Sequence, residues 1–317
     1  MNRFISALSH SLLLSGLFIS SQVLANETIS QSLSADEVSS ISIENQSGTV
    51  KVIGWNKDKV TISGQLDEKA EELIFEQRGA QIFIKVEYPN MERWTSSGTN
   101  LIVKAPKNLR FDLASISSDF SLNNLHGGIE AKTVSGDIDG DELTEQIELS
   151  TISGNVTTKD LSGKISLSSV SGDIDDKNSN GRLQLQSVSG EIEVKTKAAE
   201  VFVNNVSGST NLKLDEILEL RISTVSGDVE AKLHLKDKGL LKASSVSGDV
   251  EFAFQQGVDA NFRLKSNVGG DLVNKLTDDE AEHPKYGPGA KLNFQTGQGN
   301  ASVSANSVSG NIVVKSQ

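Results

Sequence analysis

The residues best placed to do chemistry are acids that recur at a fixed place in a short motif. Asp119, Asp137, Asp173, Asp228, Asp249 and Asp271 share that slot, and Glu191 occupies it once. Hard cations bind carboxylate oxygens, so a row of such acids could form a Ca²⁺-binding edge. The same acids could instead cap turns by accepting bonds from backbone N–H groups. Asn155, Ser209 and Asn311 fill the slot as well. All of these side chains can accept a hydrogen bond, but only a cation site requires charge, so we read the slot as a turn cap. The calcium-binding β-roll needs G-G-x-G-x-D in each nonapeptide. The second glycine is missing here.

Further acids stand at Asp139, Asp175, Asp176, Glu193, Glu230 and Glu251. Paired carboxylates can hydrolyse glycosidic bonds, but acids repeated in every unit read as a solvated face. The aromatic residues that sugar grooves favour, beyond Phe, are Trp55, Trp94, Tyr88 and Tyr286, and none lies in the regular repeat. His10, His126, His234 and His283 follow no metal-ligand spacing. The Ser-Gly steps, including Ser135, Ser153, Ser171, Ser189 and Ser207, are not G-x-S-x-G elbows. A Ser-Gly step repeated along the chain is architecture. No catalytic residue, metal ligand or cofactor site is assigned, the binding residues stay open, and the expectation is a protein that is not an enzyme.

The elements that hold these residues come from a repeat. Its motif is Val134-Ser135-Gly136-Asp137-Ile138, followed by Ile152-Ser153-Gly154-Asn155-Val156 and Val170-Ser171-Gly172-Asp173-Ile174. Further copies are centred on Gly190, Gly208, Gly227, Gly248, Gly270 and Gly310, and a degenerate one runs Ile116–Phe120. Successive glycines from 136 to 208 are 18 residues apart, then 19, 21, 22 and 40. A weaker half-repeat, clearest at Leu161-Ser162-Gly163-Lys164-Ile165, divides each unit into two alternating strands. An 18-residue unit cannot bury its own apolar stripe, whereas stacked units can. The glycines mark bends where φ is positive or backbones pass closely.

The fold predicted is therefore all-β: a single-chain β-solenoid, or β-helix, of roughly ten coils of 18–22 residues. At about 4.8 Å per coil the rod is on the order of 50 Å long. Residues 109–317 carry the repeats, with a polar, Pro-containing loop inserted at about 274–289. Residues 26–108 read as a β-rich N-terminal cap over the open end of the solenoid.

Residues 1–25 read as a secretory signal peptide. Arg3 precedes a short apolar run at Leu12–Ile19, and Val23-Leu24-Ala25 is a small-residue cleavage site. No later run is long enough to span a bilayer. The chain has no Cys, which excludes disulfides and thiolate metal sites. Its formal net charge of −12 over 317 residues argues against nucleic acid as a partner.

The repeated V-S-G-D-I motif, the segment Glu44-Asn45-Gln46-Ser47-Gly48 and the closing Val308–Val314 coil resemble a bacterial family of domains of unknown function that carries the name "putative adhesin". The resemblance spans about residues 38–315. It implies a β-helical fold and adhesion, and it supplies no catalytic residues. The expected function is an exported, non-enzymatic cell-envelope protein that binds a protein or glycan partner as an adhesin or surface-binding module, periplasmic or at the cell surface. The alternatives are a periplasmic structural or sensory scaffold and, third, a polysaccharide-active β-helix enzyme.

Overall fold

The computed structural model describes residues 28–89 and 98–317. The signal-peptide reading of residues 1–25 and Trp94 lie outside them. The described residues contain strands and no helix, and the strands form one continuous hydrogen-bonded sheet wound into a solenoid.

Each coil places two strands in register on the coil below. One ladder runs Phe120, Ile138, Val156, Ile174, Ile192, Thr210, Val229 and Val250. The other runs Phe111, Ile129, Ile147, Ile165, Leu183, Val201, Leu220 and Leu241. All are buried. The period-2 alternation in the sequence puts these side chains inside and their neighbours outside. The apolar residue after each motif glycine is thus core.

The order of coils in space departs from their order in sequence at both ends. The strand Ser40–Trp55 pairs in parallel with Arg110–Leu125 on one side. On its other side it pairs with Gln81–Glu87 and Thr99–Pro106. A coil that is later in sequence therefore lies outside an earlier one. At the far end, Ala301–Ser307 and Ile312–Ser316 stack on Leu240–Ser245 and Val250–Phe254. Ala260–Ser266 and Leu272–Asn274 then stack outside them. This insertion explains the 40-residue glycine gap, because Gly310 sits between Gly248 and Gly270 in space.

The described part of residues 26–108, residues 28–89 and 98–108, contains two stacked coils as well as covering strands. Most strands of the outermost coils are covered. Glu72–Arg78, Lys59–Gln65 and, beyond the latter, Thr28–Ser34 add antiparallel strands at one end. Ala290–Gln295 does the same at the other. Such covering removes templates for edge-to-edge pairing. Phe254, Phe262 and Phe294 fill the second end, with ring centroids 5.5 and 4.4 Å apart. The polar stretch between Asn274 and Ala290 is irregular apart from a bridge of Glu282 with Lys291.

Candidate binding surfaces

The repeated motif folds as one turn of each coil, and nearly every position in it has a structural task. In most copies the residue before the motif is a buried Ser, Thr or Asn; Ser115 and Asn267 are the exceptions. The Gly172 N–H donates to Ser169 Oγ at 2.9 Å, and that hydroxyl donates to the Gly154 carbonyl at 3.0 Å. The same pattern holds at Thr151, which serves Gly154 and Gly136. A buried hydroxyl thus satisfies backbone groups that would otherwise be stranded. The motif serines bond outside: the hydroxyls of Ser189, Ser207 and Ser247 donate to the carbonyls of Val170, Val188 and Val225 one coil below.

The glycines are required by proximity. A Cβ on Gly172 would lie 1.8 Å from the Gly154 carbonyl oxygen, and one on Gly190 would lie 1.9 Å from that of Gly172. Positive φ occurs at half-repeat glycines such as Gly163 and Gly181, and among the motif glycines at Gly208 and Gly270.

The acids form a third ladder. The Asn155 N–H donates to Asp137 Oδ1 at 2.7 Å, Asp173 N–H to Asn155 Oδ1 at 2.9 Å, and Glu191 N–H to Asp173 Oδ1 at 2.8 Å. The ladder resumes from Asp228 through Asp249 and Asn311 to Asp271. In spatial order the acids come in adjacent pairs, Asp119–Asp137, Asp173–Glu191 and Asp228–Asp249. Asn155 and Ser209 stand between the pairs, and Asn311 separates the last pair from the single Asp271. Repulsion between stacked carboxylates is thereby confined to neighbours. Among the described residues no group of three or more His, Asp or Glu could hold a metal ion.

The remaining acids separate into two environments. Asp175, Glu193 and Glu230 lie on an outward row with lysine partners. Burial and the nearby Asp137 and Asp119 raise the pKa of Asp139. Asp176 departs from the solvated face expected of it. It points into the coil, fully buried, where Thr158 and Ser179 donate to its Oδ1 at 2.7 and 2.6 Å. Burial, the dominant cause, pushes its pKa up to about 6. Trp55 Nε1 donates to the Lys59 carbonyl, Tyr88 bonds Thr99, and Tyr286 is exposed. These rings form no common platform.

One position in the motif has no internal task. Ile116, Val134, Ile152, Val170, Val188, Val206, Val225, Val246, Val308 and Val268 point outward, 37–56% exposed. They stack coil on coil in that spatial order. Exposure is greatest, at 56%, for Ile116 and Val268 at the two ends of the row, so mutual stacking provides much of the cover. Along the middle of the row the next outward residues, Ser168, Gln186, Asn204, Ser223, Ser244 and Asn306, are uncharged, and Lys132 and Lys265 hold that place near its two ends. The result is an apolar strip about 45 Å long at the strand spacing, bordered on one side over its middle by amides and hydroxyls. Sequence reading missed this row because the motif valine resembles any strand residue. The signal was there in the register, since valine and the core isoleucine four residues later fall on opposite sides of the turn.

Residues 38–239 match the family described as Toastrack DUF4097, which is more than half of the chain. The chain belongs to the Toastrack DUF4097 family. The match stops where the Toastrack repeat has lengthened from 18 to 21 residues. Solved structures similar to this Toastrack chain include a "putative adhesin" from Parabacteroides merdae, at 12% identity over 72% of this chain and 92% of that one, with a TM-score of 0.43. Another is a "putative adhesin" from Bacteroides fragilis, at 13% identity over 92% and 97%, with a TM-score of 0.40. A third is a "putative cell adhesion protein" from Clostridium sporogenes, at 10% identity over 92% and 100%, with a TM-score of 0.23. No curated protein matches the chain.

Proposed function

We propose that this protein is an exported, non-enzymatic binding module of the cell envelope, and that it engages its partner through the valine-lined face. The observation that carries the reading is the outward valine row. Each neighbouring motif position is committed to a backbone bond or a close approach, while the valines leave apolar surface in water along the rod from Ile116 to Val268. Repeat proteins use such extended faces for binding. Covering the exposed half of each valine would contribute about 1 kcal/mol. The acids support the non-enzymatic reading, because they recur coil after coil as caps and are not gathered with a second reactive group in one cavity.

Replacing Val170, Val188 and Val206 together by Thr keeps β-branching and removes apolar surface. Retention of the purified protein on isolated envelope material should fall by about 100-fold, from about 3 kcal/mol over three residues, at an unchanged melting temperature. Equal retention of the variant would overturn the assignment of this face. Protease shaving of intact cells, with fractionation in parallel, tests location. Loss of the protein on shaving supports surface adhesion, whereas protection with periplasmic release supports the scaffold reading.

A further inference from the structure

The rod carries a second feature at the opposite turn of the coil. Between Lys195 and Val201 the chain takes six residues, between Lys213 and Leu220 seven, and between Lys232 and Leu241 nine. The lengthening of the repeat from Gly208 to Gly248 therefore falls at this one corner. The longer coils overhang the shorter ones, with register shifts in the strand pairing between Lys213 and Ile217 and beyond. Insertions confined to one face of a repeat array often build its binding face.

The overhang encloses a trough of about 620 Å³. Its lining includes Lys177, Lys195, Lys197, Lys213, Lys232 and His234, with Asp215 as the one acid among the described lining residues. This is an unusual concentration for a chain of formal charge −12. Four of the lysines are a ladder: Lys177 pairs in register with Lys195, Lys195 with Lys213, and Lys213 with Lys232. Like charges placed directly opposite one another destabilise a sheet. Partial relief comes from carboxylates outside the trough, through Lys177–Asp175 at 2.9 Å, Lys232–Glu230 at 3.1 Å and Lys213–Glu193 at 3.9 Å. Among the described residues Lys195 and Lys197, in the middle of the lining, make no ion pair.

We infer that this trough binds a linear acidic polysaccharide, with carboxylates on successive sugars seated along the lysine ladder. The cations repeat at the strand spacing of about 4.8 Å, so the complementary ligand is a thin polymer with regularly repeated charge. The lining uses lysine, a point charge that donates to a single carboxylate oxygen, and no arginine fork. His234 is the one aromatic ring among the described lining residues, too few to stack successive bases, which disfavours single-stranded nucleic acid. Its concave shape disfavours a flat bilayer. The site lies away from the valine row, and the inference does not depend on that row.

The test is calorimetric titration of the whole protein with polygalacturonate at low ionic strength. Binding is expected, weakening as salt is added. The variant Lys195→Gln/Lys197→Gln/Lys213→Gln should bind at least 10-fold more weakly with an unchanged melting temperature. Lys242→Gln, on the other strand of the coil, should bind as the parent does, and methyl-esterified polygalacturonate should not bind. No binding of the acidic polymer, or equal binding by the triple variant, overturns the site. Tighter capture of phosphatidylglycerol vesicles or of a single-stranded oligonucleotide, lost in the same triple variant, overturns the polysaccharide as its occupant.

Discussion

The Asn311 N–H donates to Asp249 Oδ1 at 2.8 Å although 62 residues separate the two in sequence. Gly310 lies over Gly248 in the same way. The coil holding Asn311 is thus an internal layer with partners on both faces. Removing residues 301–317 should strip hydrogen-exchange protection from Val250–Phe254 and Ala260–Ser266 together. Retained protection in both strands would contradict the inserted arrangement.

The glycines provide a paired comparison. Gly172→Ala drives a Cβ into the Gly154 carbonyl and should cost about 3 kcal/mol or more. Gly269→Ala meets nothing within 4 Å and should be near neutral. Chemical denaturation of the two variants checks the contrast, and equal midpoints would mean that the stack is looser than described.

Asp176 should make stability depend on pH. Its folded pKa of about 6 lies above the ordinary 3.8 because the carboxyl is buried. The folded state therefore holds the proton more tightly than the unfolded chain does. The contribution of Asp176 to stability is greatest below about pH 4, falls as pH rises to about 6, and is level above that, with a cost on the order of 3 kcal/mol. Asp176→Asn should melt higher than the parent at pH 8 and lose that advantage at pH 4. A difference independent of pH would show that the carboxylate is not strained by burial.

The turn ladder predicts what calcium does. Asp137 serves as an acceptor for the Asn155 N–H, so Asp137→Asn should retain stability, while Asp137→Ala should cost about 1 kcal/mol. Added Ca²⁺ should leave the melting temperature of the parent unchanged. A rise with Ca²⁺ that Asp137→Asn abolishes would instead support a cation edge.

Much of the solenoid is legible in the sequence because two constraints write themselves into it at fixed spacing. Stacked turns demand Gly136, Gly154, Gly172 and Gly190, and alternate strands demand Ile138, Val156, Ile174 and Ile192. What spacing cannot convey is which coil neighbours which. The core of Ala301–Ser316 matches either face it meets, so local pattern does not reveal that it sits between two earlier coils. The sites are hidden for different reasons. Val188 is as apolar as a core residue, and its exposure depends on the direction of the turn. Lys195 and Lys213 form a row only after the coils are stacked. Asp176 stands one residue from the outward Asp175, and this single step in strand phase separates a solvated acid from a buried one.

The interleaved ends bear on how such a rod changes length in evolution. Each terminal arrangement is a clasp in which sequence order and spatial order disagree, so appending a repeat beyond it would have to break pairings that already exist. Between the clasps, from Gly136 to Gly208, order in sequence and order in space coincide at a constant interval. Excising or duplicating one interval there would leave every turn facing an equivalent neighbour. Descendants of this architecture can be lengthened or shortened by recombination in the middle, with both ends inherited intact.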